Sequence, residues 1–289
     1  MQSSASRYTG RAFDAMLLRA FVAVARFMYA CGLRRGWSKI LPRFSGRGLV
    51  RLDFEDAGAV YVDISQPMCL PAVFSDHPFQ EETSVLYHVV RSGDIVFDIG
   101  ANFGWTTCVL SKLVQSRGKV VIFEPSPPAL ELLTLNIKHR SSVSLYPVAL
   151  GRRCGHAEMN ITNSADGSTL SREIAQLSWT PVTSLAKIEV RTLDSLELPT
   201  PDLIVCDVEG WEMEVFAGAT HTLQQGPMVM FEFIPDYGKA SGFCLRDLSE
   251  FLLRNLPLGS RIYQLDAHNY VAVPTRYAGR IEHAGFRLL

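Results

Sequence analysis

The chain has 289 residues, 47% of them hydrophobic and 20% charged, a balance that excludes a disordered or fibrous protein. Its length suffices to bury one substantial core, with or without an appendage. The net charge of −1 conceals an asymmetry: residues 1–51 carry ten basic side chains against Asp14 alone, a local +9 that leaves −10 for the remainder.

The basic stretch supplies the first predicted element, a helical segment within residues 1–48. Phe13 to Leu33 is apolar but broken by Asp14, Arg19 and Arg26, and charges near the centre of a spanning helix are costly. At 100° per residue, Arg7, Arg11, Arg19 and Arg26 share one side and leave a wide apolar face. Such a helix either packs on the main domain or lies in a membrane interface, where its arginines would meet anionic lipid. The same arginines argue against a signal peptide. The six cysteines form no C-x-x-C pair, so neither a zinc site nor a disulfide framework is indicated. A reducing, cytoplasmic setting is expected, with peripheral membrane contact through the basic helix and no nucleic-acid partner.

Residues 49–289 read as one domain. Leu49–Phe54 and Ala59–Ile64 alternate in polarity around Asp56-Ala57-Gly58, which predicts a hairpin. A loop is expected over Pro67–Pro78 and a helix over Glu81–Val90. From Asp94 onward short apolar runs alternate with amphipathic stretches, the signature of a mostly parallel sheet covered by helices on both faces. The predicted strands are Ile95–Ile99, Val120–Phe123, Val143–Leu150, Leu203–Cys206 and Met228–Phe233. Helices are predicted near Trp105–Gln115, Pro127–His139 and Glu212–Gln224. Residues 151–192 interrupt the alternation, with β-like stretches at His156–Ile161 and Ile188–Thr192, and read as an insertion facing substrate at the carboxyl edge of the sheet. A helix at Leu245–Leu253 and strands at Ile262–Leu265 and Tyr270–Val273 complete the domain.

The chemistry concentrates where the first central strand ends, in Asp98-Ile-Gly100-Ala-Asn102-Phe-Gly104. Glycines there let the backbone turn tightly and approach a ligand. A dinucleotide loop would carry G-x-G-x-x-G, and only Gly100 and Gly104 are present. Asp98 at its mouth would repel a pyrophosphate but favours the ammonium and sulfonium of S-adenosyl-L-methionine. Glu124 ends the next strand at a spacing suited to ribose hydroxyls. Ser126 and Pro127 then form a helix start, with a hydroxyl N-cap and proline at the first position.

Together with Phe123-Glu-Pro-Ser-Pro127, Asn136-Ile137, Val148-Ala-Leu-Gly151, Thr192-Leu-Asp-Ser-Leu196, Asp207-Val-Glu-Gly210, Gly218-Ala219 and Phe231-Glu232, the loop resembles the FkbM family of S-adenosylmethionine-dependent methyltransferases over about residues 93–235. The resemblance implies a Rossmann-like sheet of the class I methyltransferase type and methyl transfer to a hydroxyl of a sugar, glycan or polyketide-like molecule. One departure is visible. The strand Asp202-Leu-Ile-Val-Cys-Asp207 carries Val205 where the family usually has lysine.

Asp207, Glu209 and Glu232 fall at adjacent strand ends. Alcohols are poor nucleophiles, and clustered carboxylates raise one another's pKa, which suits one of them to act as base. Asp207 is the expected base, with Glu209 and Glu232 orienting the acceptor; Glu209 reads equally as an acid favouring the following helix start. No metal site is called for by the spacing. His221 and His156 are expected at the surface, and His77 lies in a segment that could cover the cofactor. Trp105 and Trp211 either wall the site or pack helix on sheet. Two rival readings remain: a nicotinamide-dependent oxidoreductase on a similar sheet, or a non-catalytic membrane-associated binding protein that keeps the fold.

Overall fold

Strands form where β-branched and aromatic residues run unbroken, and their two-residue period sends alternate side chains to opposite faces of the sheet. The computed structural model describes Val24 and residues 48–289 other than 65, 76, 163–167, 178–180 and 283. Apart from Val24, which is helical and exposed, the N-terminal helix expected at Phe13–Leu33 lies outside the described residues.

The chain begins with the hairpin β1 (Leu49–Phe54) and β2 (Gly58–Asp63), then α1 (Leu70–Phe74) and α2 (Gln80–Val89). The segment expected as a loop therefore contains a short helix, opened by a single 3-10 turn at Pro67–Cys69. The central unit follows as β3 (Ile95–Ile99), α3 (Trp105–Val114), β4 (Lys119–Phe123), α4 (Pro127–Ile137) and β5 (Val143–Tyr146). Pro147 cuts the strand expected at Val143–Leu150 in two. β5 stays in the main sheet, while β6 (Ala149–Leu150) joins β7 (Gly155–Thr162) and β8 (Val182–Arg191) in a separate three-stranded sheet, with α5 (Arg172–Leu177) between β7 and β8.

The main sheet resumes with β9 (Leu203–Cys206), α6 (Glu212–Ala217), α7 (Thr220–Gln224) and β10 (Met228–Glu232). The helix expected at Glu212–Gln224 is thus interrupted. Gly218 lies against the backbone of Gly151, where a Cβ would stand 2.1 Å from the Gly151 carbonyl oxygen, and the chain turns there before restarting. The end of the chain adds α8 (Pro235–Ser241), α9 (Leu245–Asn255), β11 (Arg261–Gln264), β12 (Asn269–Val273) and β13 (Arg287–Leu288).

The eight strands lie in the order β13-β11-β12-β10-β9-β3-β4-β5. From β10 to β5 all neighbours are parallel, and β12, β11 and β13 add antiparallel pairs. Val96, Val120, Ile122, Leu203 and Val205 pack on one face against Val85, Leu86 and Val89 of α2 and Leu110 and Val114 of α3. Phe97, Ile99, Phe123, Ile204 and Phe231 pack on the other against Phe216, Leu223, Leu248 and Leu252. Each such buried side chain contributes about 1.5–3 kcal/mol. The chain moves outward from β3 to β5, then returns to place β9 on the other side of β3. The connections leaving β3 and β9 diverge, opening a crevice at their carboxyl ends. Among the described residues no helix is long and apolar enough to cross a membrane.

The hairpin is fastened to this crevice by α4. The Asn136 side chain, 5% exposed, donates to the carbonyls of Tyr61 (3.0 Å) and Phe103 (2.7 Å) and accepts from the Tyr61 N–H (2.6 Å). Arg140, one turn on, donates to the carbonyls of Ala57 and Ala59. Asn136→Ala leaves these buried backbone groups unpaired and is expected to destabilise the protein by about 2–3 kcal/mol. Urea unfolding would register this as a lower midpoint at unchanged slope.

Candidate active site

A cavity of about 520 Å³ occupies the crevice. Its floor is the loop after β3, whose shape depends on two glycines. Gly100 has φ +89°, and a Cβ there would stand 1.7 Å from the carbonyl oxygen of Asp207. Gly104 has φ +91° and caps α3, with Leu133 2.7 Å from where its Cβ would be. The Gly100 N–H donates to the Phe123 carbonyl and the Asp207 N–H to the Ile99 carbonyl, both at 2.9 Å, so the ends of β3, β4 and β9 are tied together.

The predicted residues divide into a wall and a support. Gly100, Asn102, Glu124, Asp207, Glu209 and Glu232 line the cavity. Asp98, Gly104 and Ser126 lie behind it. Asp98 shares the face of β3 that carries Val96, so its carboxyl turns toward α3 and accepts the Thr107 hydroxyl at 2.5 Å. It is 3% exposed. The expected position of Asp98 at the mouth of the loop is therefore corrected: it supports the loop from beneath. Ser126 occupies the N-cap of α4 as expected, but its hydroxyl makes no capping bond; its N–H donates to Glu124 at 2.7 Å.

Glu124 is 5% exposed and accepts the N–H of Asn102 at 2.8 Å through its other oxygen. Each of its oxygens keeps a second lone pair for a ligand. Asn102 itself adopts φ +51°, which turns its N–H to the carboxylate. Asn102 Oδ1 and the indole Nε1 atoms of Trp105 and Trp211 are buried with no hydrogen-bond partner among the described residues, and all three residues line the cavity. Unpartnered groups of this kind mark a wall that a polar ligand completes. Phe79 packs between Trp105 (5.4 Å) and Phe103 (6.1 Å), and Phe54 stands edge-on to Trp105 at 4.9 Å.

Past β9 the chain turns through Glu209 at φ +55° and Gly210 at φ +85°. A non-glycine residue in that region costs roughly 1–2 kcal/mol. The residue that holds this turn is Glu212, which sequence reasoning missed. It is 2% exposed, and its Oε1 accepts the N–H groups of both Val208 (3.3 Å) and Gly210 (3.1 Å). The helix-start role considered for Glu209 thus belongs to Glu212. An acid five residues beyond a strand-end Asp, directly at a helix start, was the available signal. His221 is exposed on α7 and His156 is exposed on β7; neither lines the cavity. Among the described residues no three His, Cys, Asp or Glu side chains converge on a common metal position.

The described wall of the cavity carries four carboxylates, Glu124, Asp207, Glu209 and Glu232, and no lysine, arginine or histidine. Phosphates would be repelled from such a surface and a cationic ligand drawn in. The strand order, parallel from β10 to β5 and closed by antiparallel strands beyond β10, is the class I methyltransferase architecture. The chain belongs to a family of that kind: the pattern described as "Methyltransferase FkbM domain" matches residues 98–271, more than half of its length.

Among characterised relatives, the hexuronic acid methyltransferase AglP of Haloferax volcanii is 26% identical over 153 residues, covering 53% of this chain and 61% of that protein. The 2-O-methyltransferase NoeI of Sinorhizobium fredii is 28% identical over 154 residues, covering 48% and 63%. The chain thus spans less than two thirds of the length of either. A solved FkbM methyltransferase from Methylobacillus flagellatus superposes with a TM-score of 0.44 at 18% identity, over 62% of this chain and 43% of its own. Aeropyrum pernix fibrillarin with bound S-adenosyl-L-methionine gives 0.42 at 13% identity, over 78% and 83%.

Burial pushes the carboxyls of Asp98, Glu124 and Glu212 up to about 7 each, against partial relief from the hydrogen bonds they accept. Between the ordinary carboxylate range and pH 7 the folded protein therefore holds protons that the unfolded chain has released. The contribution of these groups is fully present below that range and is lost as pH rises through about 7. The melting temperature of the ligand-free protein is expected to fall between pH 5 and pH 8 in scanning calorimetry, and Glu124→Gln should flatten the slope. A melting temperature that rises over that interval would contradict the assignment.

Proposed function

We propose that the protein is an S-adenosyl-L-methionine-dependent O-methyltransferase acting on a hydroxyl of a sugar or glycan. The observation that carries this reading is the acidic wall without a basic side chain among its described residues, set at the switch point of a doubly wound sheet. It disfavours the oxidoreductase alternative, whose cofactor brings a pyrophosphate. A hexuronic acid methyltransferase among the relatives supports a sugar acceptor, and a 2-O-methyltransferase supports oxygen as the nucleophile.

The residues present fit the cofactor. The turn at Gly100–Asn102 brings backbone close to it, Glu124 offers lone pairs to ribose hydroxyls, and the unpartnered Asn102 Oδ1 and indole N–H groups have partners to gain. Asp98 and Thr107 hold the loop from below. Bound S-adenosyl-L-methionine supplies a methyl group already activated on a sulfonium. The chain's task is then alignment and proton removal. An Oδ of Asp207 accepts the acceptor hydroxyl's proton, while Glu209 and Glu232 fix the hydroxyl's direction. Met68, Pro71, Phe79 and Phe103 exclude water from one side. Met159, Ser168, Thr169 and Leu170, all from the 151–192 insertion, face the acceptor and set its specificity.

Calorimetric titration with S-adenosyl-L-methionine should give saturable heat, and titration with NAD none. Absence of heat with the former sinks the proposal. Glu124→Ala should weaken that binding by about tenfold, the equivalent of one charge-assisted hydrogen bond.

Asp207→Asn should bind the cofactor within about threefold of the parent while methyl transfer to a glucuronic acid glycoside falls by 10²–10⁴-fold. Normal transfer by this variant would remove Asp207 from the role of base.

A further inference from the structure

The turn that carries Asp207 and Glu209 is held in a backbone conformation that its own residues do not favour. Glu209 has φ +55° and Gly210 φ +85°, and a Cβ on Gly210 would stand 2.2 Å from the Ile174 side chain of α5. Three side chains outside the cavity's acidic set fasten it. Thr169 Oγ1 donates to the Glu209 carbonyl at 3.2 Å, and Ser241 Oγ donates to the Gly210 carbonyl at 3.0 Å. The third is Glu212, whose single oxygen Oε1 gathers the N–H groups of Val208 and Gly210. Those two donors flank Glu209 on either side. Fixing both restrains the Asp207–Val208 and Glu209–Gly210 peptide units, on either side of the turn, and it anchors the exit of Asp207 from β9.

We propose, resting on the methyltransferase reading above, that Glu212 is a positioning residue: through Oε1 it locks the 208–210 turn so that Asp207 and Glu209 face the acceptor. It does so by the two hydrogen bonds that Oε1 accepts, which do not require its charge. One oxygen takes both N–H groups, which the side-chain carbonyl of a glutamine can do equally well. A residue that only capped α6 would affect stability alone. A residue that locks the turn sets the geometry of the reacting groups, where a displacement of about 1 Å costs roughly 10²-fold in rate. The bond from Thr169 gives the lock a second consequence, because it joins the turn to the insertion that lines the acceptor side of the cavity.

The test compares Glu212→Gln and Glu212→Ala in the full chain by two measurements. The first is hydrogen exchange at the Val208 and Gly210 amides. The Ala variant should exchange there at least about tenfold faster than the parent, and the Gln variant at the parental rate. The second is transfer of labelled methyl from S-adenosyl-L-methionine to a glucuronic acid glycoside. The Ala variant should lose about 10²-fold in kcat with an unchanged dissociation constant for S-adenosyl-L-methionine, and the Gln variant should recover kcat with an unshifted pH profile.

Parental exchange in the Ala variant overturns the proposal. So does failure of Gln to restore kcat, or a displaced pH profile in Gln, which would assign the effect to charge. If the Ala variant does not fold, the Gln variant's exchange, kcat and pH profile decide alone. Absence of transfer by the parent chain counts against the acceptor reading of the preceding subsection, and exchange then still decides the role of Glu212.

Discussion

The close approach of β3 and β9 at the Gly100–Asp207 contact is the constraint on which the site depends. With a Cβ excluded by a carbonyl oxygen 1.7 Å away, only glycine permits the loop to cross the end of β9 at this depth. That crossing places the backbone of Gly100–Asn102 and the carboxylate of Asp207 on one cavity. It also orients Asn102 so that its N–H reaches Glu124 on the neighbouring strand. Three strand ends are thereby coupled through backbone geometry before any ligand is considered.

The second organising feature is electrostatic. Asp98, Glu124 and Glu212 are buried close to Asp207, and their charged forms are penalised first by desolvation. Burying carboxyls close together raises the cost of ionising each of them. A positive ligand in the crevice offsets this penalty at Glu124, the one of the three that lines it. The wall of the crevice is thus selected by charge as much as by shape. The carboxylates of its described lining suit a cationic ligand better than a pyrophosphate.

A third feature links recognition to chemistry. The insertion does not merely hang beside the cavity. Thr169 and Ile174 touch the turn that follows Asp207, and Asn160 on β7 donates to the Thr169 carbonyl, so the three-stranded sheet, the α5 segment and the turn form one connected wall. Gly151 and Gly218 meet backbone to backbone at the root of this wall, which is why α6 and α7 are separate helices.

Much of this was legible in the residues. Predominantly apolar runs located β3, β4, β9 and β10, because burial on both faces leaves little room for polar residues there, Asp98 being the buried exception in β3. The glycine spacing, Glu124 and the Asp207–Gly210 run pointed to residues that the structure brings to one cleft. What the sequence could not supply was direction. Whether Asp98 faces a ligand or a helix follows from which face of β3 meets α3, and that is settled by packing across the sheet. Glu212 read as an ordinary helix residue because its partners, Val208 and Gly210, become donors only when the turn takes its left-handed shape. The order and type of elements are local properties of the chain. The aim of each carboxylate depends on contacts between segments far apart in sequence, and so belongs to the tertiary structure alone.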